Sequence, residues 1–211
     1  MKNSIIYFRI IIIILGLLIC SCNKIKDPKY GLFTDQRDCE TYKTVQIGNQ
    51  VWMAENLRYK AYTRDYCPYN DDESYIYPYG YLYDWETACI VCPPGWHLPS
   101  WGEWTELIDY LGGEKIAGGK MKEKGKGLWV SPNTGATNES GFSALPGGLR
   151  NPIIWDGGYF DLGIRAWFWT SREEIWDYVW VILLGNNYDI VKIIDNMVIK
   201  KYAISVRCVK D

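Results

Sequence analysis

The sequence predicts an α+β fold built on an antiparallel sheet. Three features support this class: a β-hairpin pattern near the start, two helical patterns after it, and then a long series of strand-like segments. Helices that precede a run of strands, instead of alternating with them, are typical of α+β proteins. The 211 residues are 48% apolar and 23% charged, so one domain of this length can bury a proper core without several covalent staples.

The hairpin is predicted over residues 44–54. Polar and apolar residues alternate at 44–47, a Gly-Asn pair forms the turn, and residues 50–54 return as the second strand. Asn56 follows this hairpin directly. We interpret Asn56 as a buried side chain that satisfies loop amides, in preference to a ligand-binding role.

A rigid corner at residues 92–99 follows the first predicted helix. The corner contains three prolines, which fix φ, and Gly95, which permits a positive φ. Apolar residues at helical spacing predict the helix itself over about residues 80–91, and Pro93 ends it.

The second helix, at about residues 100–111, has the clearest signals in the chain. Ser100 and Glu103 have the spacing of a capping box, apolar residues then recur at helical spacing, and two glycines stop the helix. His97, the only histidine, lies just before it. Since no nucleophile or acid stands at a telling position, we interpret His97 as a structural histidine.

The second half of the chain is predicted to be mostly strand. The segments rich in β-branched and aromatic residues are 165–171, 178–184 and 203–209, with a hairpin return at 188–194. In the last segment, alternation places Cys208 on the same face as Val206 and places Arg207 on the other face. We therefore expect Cys208 to face the core.

Two polar regions bear on metal and phosphate binding. Residues 59–79 mix tyrosines with carboxylates, but their spacing matches no calcium-binding loop, so we interpret them as a solvated loop held by its tyrosines. Residues 115–126 are basic and glycine-rich without the spacing of a phosphate-binding loop, and they predict a short helix and a mobile loop. We expect no metal and no cofactor.

The aromatic content is unusual, with 11 tryptophans and 17 tyrosines. These rings either pack the core and loops or form a face that binds a sugar or a protein partner. Exposed rings can stack on sugars or anchor a protein interface, and we predict such a face in the later loops. Its candidate residues are Trp155, Tyr159, Trp176, Tyr178 and Tyr188. The formal net charge of −2 makes nucleic acid an unexpected partner.

The N-terminus predicts a lipoprotein signal peptide. Lys2 and Arg9 form a basic region before an unbroken apolar run at 10–19, which has about ten residues where a membrane span needs about twenty. The motif Ile19-Cys20-Ser21-Cys22 resembles a bacterial lipobox, so Cys22 is the expected site of lipidation. An uncleaved membrane anchor is the alternative.

This interpretation divides the chain into three parts. Residues 1–21 are the expected signal peptide, residues 22–37 a polar tether, and residues 38–211 the domain. The mature protein would be exported and lipid-anchored to the bacterial outer membrane, facing the periplasm or exposed at the cell surface.

Several blocks of the sequence resemble the Fibrobacter succinogenes major paralogous domain, from about Phe33 to Asp211. The blocks that carry the resemblance are residues 42–57, which contain Val51-Trp52-Met53-Ala54-Glu55-Asn56-Leu57, residues 79–85, Cys92-Pro93-Pro94-Gly95-Trp96-His97-Leu98-Pro99, residues 102–104, 141–148 and 168–171, and Ser205-Val206-Arg207-Cys208-Val209. The resemblance implies a C-type-lectin-like fold, with two helices packed on twisted antiparallel sheets and long loops that present a binding surface. It implies no particular activity.

The resemblance also implies a disulfide between Cys92 and Cys208, because both lie in blocks that match the family. Two buried thiols that pack as small apolar groups are the alternative. An oxidising compartment permits disulfides. The remaining cysteines of the domain can form at most one further bridge, and their pairing stays open; they are Cys39, Cys67 and Cys89. The family often has a cysteine eight positions after the one that matches Cys67, where this chain has Tyr75.

Two functions remain as hypotheses. The preferred one is a non-catalytic cell-envelope lipoprotein that acts as a binding or adhesion module for a glycan or protein ligand. The alternative is an enzyme on a fold similar to that of formylglycine-generating enzymes, whose terminal Gly-Phe-Arg resembles Ser205-Val206-Arg207. Those enzymes need a close pair of reactive cysteines at a substrate groove, whereas Cys92 at a corner and Cys208 in a strand indicate a structural pair.

Overall fold

The computed structural model describes residues 30–63, 65–125, 127–154, 158–174, 177–195 and 197–211. The predicted signal peptide, the lipidation site Cys22 and two predicted ligand-binding residues, Trp155 and Trp176, lie outside these ranges. Within the described part of the chain, no helix is both long enough and apolar enough to cross a membrane.

The described residues form an α+β fold of short helices and mainly antiparallel strands. The helices are α1 (Ile76–Tyr79), α2 (Trp85–Val91), α3 (Trp101–Tyr110) and α4 (Glu114–Met121). The strands are β1 (Tyr30–Thr34), β2 (Thr41–Ile47), β3 (Gln50–Met53), β4 (Tyr66–Cys67), β5 (Leu82–Tyr83), β6 (Trp96–His97), β7 (Gly147–Arg150), β8 (Tyr159–Leu162), β9 (Arg165–Glu173), β10 (Val179–Gly185), β11 (Lys192–Ile194), β12 (Ile204–Ser205) and β13 (Val209–Lys210). Short 3-10 turns occupy Tyr69–Asp71 and Glu73–Tyr75.

Two sheets share the C-terminal segment. One sheet has the order β1-β2-β3-β13-β6, and the other has the order β11-β10-β9-β12-β5-β4. Strand β12 runs parallel to β9, whereas the other pairings within these sheets are antiparallel. A separate hairpin pairs β7 with β8. Because β12 and β13 belong to different sheets, the last eight residues join the two halves of the fold.

Residues 204–209 of this segment are buried, because they run between two hydrophobic clusters. Ile204, Val206 and Cys208 belong to one cluster, and Val209 belongs to the other. Arg207, which points to the opposite side from Cys208, is also fully buried. The prediction that Cys208 faces the core is confirmed, but the predicted continuous strand at 203–209 is interrupted between β12 and β13.

Local signals identified several elements correctly. The predicted hairpin is present as β2 and β3, and α3 begins with the capping box of Ser100 and Glu103. The Ser100 amide donates to Glu103 Oε2 at 2.7 Å, while the Glu103 amide donates to Ser100 Oγ at 3.3 Å. Gly112 then ends the helical path with a φ of 102°, a conformation that favours glycine.

The first predicted helix begins later than the sequence pattern indicates. Leu82 and Tyr83 pair with both β12 and β4, so they form a strand instead of the first helical turn. Asp84 then caps α2 by accepting a hydrogen bond from the Thr87 amide at 2.9 Å. Tertiary pairing therefore overrides the helical spacing of the apolar residues at this point.

Part of the predicted tether belongs to the domain. Residues 30–34 form β1, which pairs with β2 along its whole length, and the turn that follows contains the buried Asp35. Arg37 forms an ion pair with Asp35 at 2.7 Å. The prediction of a tether over 22–37 is therefore wrong for these residues. Most of β1 is exposed, so it lacks the alternating pattern that would have identified it.

The return strand after β10 is also shorter than predicted. The predicted return covered 188–194, whereas β11 contains only Lys192–Ile194. The preceding residues bind helix α4 instead: the Gly119 amide donates to Asp189 O at 2.8 Å, and the Val191 amide donates to Glu114 O at 2.8 Å. A Cβ on Gly118 would lie 2.4 Å from Ile190 O, so this close approach requires glycine.

Candidate functional site

Arg207 occupies the centre of the fold. Its guanidinium donates to Asn56 Oδ1 through Nε at 3.3 Å and through Nη2 at 2.7 Å, and it also donates to the carbonyl oxygens of Met53, Phe142 and Ser143. A guanidinium has five N–H donors, and these five hydrogen bonds use all of them. Desolvation lowers the pKa of Arg207 to about 9, so the side chain is charged at neutral pH.

Asn56 connects this guanidinium to the rest of the core. Its Nδ2 donates to Tyr79 O at 2.7 Å and to Ser205 Oγ at 3.2 Å. Gly80 has a φ of 78°, and a Cβ at this position would lie 2.7 Å from Asn56 Cβ. The interpretation of Asn56 as a satisfied structural residue is therefore confirmed, although its partners are a carbonyl, a hydroxyl and a guanidinium instead of loop amides.

Lys122 is a second buried cation, at the end of α4. Its Nζ donates to Thr134 O at 2.7 Å, Gly185 O at 2.9 Å and Tyr188 O at 2.7 Å, which uses all three donors of the ammonium. Desolvation lowers the pKa of Lys122 to about 8, and the charge of Asp189 opposes this shift. The sequence does not distinguish this residue, which is one of five lysines between 115 and 126.

His97 binds two carboxylates. Its Nδ1 lies 2.7 Å from Asp211 Oδ1, and its Nε2 lies 2.7 Å from Glu103 Oε1. Desolvation lowers the pKa of His97, but the hydrogen bonds to Asp211 and Glu103 outweigh this effect and raise it overall. The imidazole therefore connects the C-terminus to the capping box of α3, and the interpretation of His97 as a structural histidine is confirmed.

Cys92 and Cys208 form a disulfide, with 6.0 Å between their Cα atoms. It is the pair that the sequence analysis predicts, and it fastens the C-terminal segment to the corner after α2. Among the described residues, the free cysteines are Cys39 and Cys89, which are exposed, and Cys67, which is buried.

A polar cavity of about 160 Å³ opens beside Cys67. It lies between β4, the start of α2, the end of β7 and the start of β12. We call it the Arg150 cavity, and its lining residues are Asp65, Tyr66, Cys67, Asp84, Arg150, Pro152, Lys201 and Ala203.

The charged groups of the Arg150 cavity form no ion pairs among the described residues. Among the described residues, Arg150 and Lys201 form no ion pair with any carboxylate, and the buried Nε of Arg150 has no hydrogen-bond partner. The Asp84 carboxylate uses one acceptor position for the Thr87 amide, and burial raises its pKa. Because Arg150 lines the cavity without an ion-pair partner among the described residues, its guanidinium can donate to a ligand there.

Cys67 and Tyr159 form the inner side of the same region. Burial raises the pKa of the Cys67 thiol, and the nearby Tyr159 and Arg150 partly offset the shift. The hydroxyl of Tyr159 is buried without a hydrogen-bond partner in the described part of the chain. Tyr75, eight positions after Cys67, packs on Tyr69, with ring centroids 5.6 Å apart.

The predicted aromatic face is not one compact patch in the described residues. Tyr178 immediately precedes β10, and Tyr188 follows its other end, so the seven-residue strand separates them by roughly 20 Å at about 3.4 Å per residue. Tyr188 packs against Gly185 and Lys192, while Tyr159 packs on Tyr69. The role of these residues in ligand binding stays a prediction.

Sequence reasoning did not identify the Arg150 cavity. Its charged residues come from four separate parts of the chain, and no motif connects them. The one available signal was Cys67, a cysteine whose pairing the sequence left open. Across the described ranges, no group of three or more histidine, cysteine or acidic side chains is arranged to hold a metal ion.

These features define an α+β domain in which residues 53–56, 142–143 and 207 meet through one buried arginine, Arg207. Comparison with family models identifies the family: the chain belongs to the Fibrobacter succinogenes major domain family, whose model matches residues 45–210. The matched region includes Asn56, Arg207, the disulfide and the Arg150 cavity. Searches of curated proteins and of solved structures each found no match.

Proposed function

We propose that this protein is a non-catalytic binding domain of the bacterial cell envelope, which uses a C-type-lectin-like fold to bind a glycan or a protein. The observation that carries the proposal is the Arg150 cavity. It is open to solvent and polar, and its cationic and anionic side chains are not committed to each other. Such a concave site with a few convergent polar groups is typical of ligand recognition.

The fold assignment is supported by how the ends of the domain meet. Strand β13 pairs with β3 of the N-terminal hairpin and with β6, so both ends of the domain share one sheet. The helices α2 and α3 flank the corner that the disulfide attaches to this sheet. The long connections between α4 and β9 form the loop-rich part that would present a ligand surface.

A non-catalytic role is supported by the hydrogen bonds that occupy the buried ionisable groups. Arg207 and Lys122 use every N–H donor on acceptors of the chain, and His97 is held on both ring nitrogens. In the alternative, an enzyme similar to formylglycine-generating enzymes, two reactive cysteines would face a groove. Cys208 is instead fully buried and bonded to Cys92, which favours the binding hypothesis.

A binding screen tests the proposed function. The full-length chain in detergent would be screened against glycans and purified envelope proteins, with the same chain after reduction and unfolding as the control. We expect saturable binding of at least one ligand by the folded chain alone. Turnover of a ligand, or the lack of any saturable binding, would contradict the proposal.

Envelope attachment has its own test. Metabolic labelling with a fatty-acid analogue should label the wild-type protein and the Cys20→Ala variant but not Cys22→Ala. The matched pair separates the two adjacent cysteines of the motif. Label that persists in Cys22→Ala would show that the lipidation site is elsewhere.

A further inference from the structure

We propose that the Arg150 cavity binds a terminal neutral sugar residue through its hydroxyl groups. This inference rests on the binding function proposed above and adds to it a site and a chemical class of ligand. The cavity, about 160 Å³, is a solvent-open concave site that can admit part of a single sugar ring.

The balance of donors and acceptors selects this class of ligand. Arg150 and Lys201 can only donate hydrogen bonds, and ionised Asp65 and Asp84 can only accept them. A hydroxyl both donates and accepts, so neighbouring hydroxyls of a sugar can satisfy both kinds of group at once. An anionic ligand would meet two carboxylates, and a cationic ligand would meet two cations, so a neutral ligand fits this charge set better.

Arg150 and Asp84 would make the central contacts. Arg150 lines the cavity and forms no ion pair among the described residues, so its guanidinium can donate to a ligand oxygen in the cavity. Asp84 is held in place as the N-cap of α2 by the Thr87 amide, which leaves further acceptor positions on its carboxylate. The Asp84 carboxylate is therefore held in place before a ligand arrives.

Tyr66 supplies the apolar part of the site. Its ring is half-buried and lies against Tyr81 and Tyr83, with centroid distances of 5.0 and 6.0 Å. These contacts hold the ring in one orientation, so little side-chain freedom is lost when a sugar packs on it. An aromatic ring beside hydroxyl-binding groups matches the two surfaces of a pyranose, its C–H face and its hydroxyl edge.

The test uses small soluble probes and variants that preserve the local structure. The full-length chain in detergent would be titrated with methyl glycosides of neutral hexoses, with glucuronic acid and with free amino acids, followed by saturation-transfer NMR. The variants are Arg150→Gln and Asp84→Asn, because asparagine can still cap α2. Their matched controls are Arg172→Gln, an exposed arginine, and Asp72→Asn, which likewise caps a short helical turn at Ser74.

We expect at least one neutral glycoside to bind, and each cavity variant to weaken it by about tenfold or more, because each leaves a desolvated group unpaired. The two control variants should bind as the wild type does, and the thermal unfolding of all variants should show that they are folded. Binding of glucuronic acid or amino acids without neutral glycosides would overturn the inference, as would no binding of any neutral glycoside.

The same experiment separates the inference from the function on which it rests. If a neutral glycoside binds equally well to the wild type, Arg150→Gln and Asp84→Asn, the binding function stands and the site assignment is wrong. If the broader screen also finds no glycan or protein ligand, both the function and the site fail.

Discussion

Two buried cations hold this fold together, and they do so differently. Arg207 and Lys122 are both fully buried, neither forms an ion pair among the described residues, and each uses all its N–H donors on acceptors of the chain. Four of the five hydrogen bonds of Arg207 are buried, whereas only the bond to Gly185 is buried for Lys122.

The difference reflects the geometry of the two groups. A planar guanidinium directs five donors along fixed lines, so it can hold a hairpin end, a loop and the amide of Asn56 in one arrangement. An ammonium is a compact charge with three rotatable donors, which carbonyls of adaptable turns can surround. We infer that Arg207 determines how the sheets join, and that Lys122 secures the loops around α4.

The largest expected effect comes from removing the guanidinium. Arg207→Met leaves three buried acceptors unpaired, at about 1–3 kcal/mol each, so the free energy of unfolding should fall by roughly 3–9 kcal/mol. Arg207→Lys should recover part of this loss, since it restores three of five donors. Urea denaturation measures both variants, with the exposed Arg172→Met as the control. If Arg207→Met changes the free energy of unfolding only slightly, Arg207 is not the more important of the two buried cations.

Removing the disulfide should lower the free energy of unfolding by a comparable amount. The bond lies next to Arg207 in the chain, because it includes Cys208. Cys92 and Cys208 are 116 residues apart, and the chain-entropy model gives roughly 4–5 kcal/mol for such a loop. The double variant Cys92→Ala/Cys208→Ala should lower the free energy of unfolding by about that amount. Hydrogen exchange should show the loss at amides of β3 and β13. A loss confined to the loops around Lys122 would contradict this assignment.

Removing the ammonium of Lys122 should lower the free energy of unfolding by an intermediate amount. Lys122→Met leaves three carbonyls, of which the one on the exposed Thr134 can bind water instead. We expect a loss of about 2–3 kcal/mol, most of it from the buried Gly185 carbonyl. Lys115→Met, on the exposed side of α4, is the matched control for urea denaturation. A loss as large as that of Arg207→Met would show that the two centres are equivalent.

His97 provides a partly exposed group that becomes a cation on protonation, and removing it should have the smallest effect on the free energy of unfolding. Its folded-state pKa is raised, so its contribution is fully present below the unfolded value of about 6.5 and is lost as pH rises through the folded pKa. His97→Gln should therefore lower the free energy of unfolding by about 1 kcal/mol or less at pH 5.5, since exposed ion pairs are weak. At pH 9 the loss should be smaller still. An NMR titration of this single histidine gives its pKa directly. A pKa below 6.5, or a cost that grows with pH, would refute the assignment.

Much of the fold could be predicted where the signals are local. The capping box of Ser100 and Glu103 identified α3, and the alternation on either side of a Gly-Asn turn identified β2 and β3. The strands β9 and β10 are rich in β-branched and aromatic residues, which predicted them within two residues. These elements are specified by neighbours in sequence, so one sequence suffices to find them.

The misassigned elements depend on distant partners. Leu82 and Tyr83 have helical spacing but pair with β12, and the mostly exposed β1 forms because β2 lies beside it. The Arg150 cavity was not predicted at all, because its charged side chains converge only when β4, β7 and the C-terminal segment meet. A charged residue that will line a cavity cannot be distinguished in sequence from one that faces solvent.

The sequence by itself therefore determined the α+β class, the family, the cap of α3 and the cysteines that bond. Only the tertiary structure decided which cations are buried and which remain available. Arg207 and Lys122 are held largely by backbone carbonyls, which every residue has and which leave no mark on the sequence. Their roles exist only once chain segments far apart in sequence bring those carbonyls to one point.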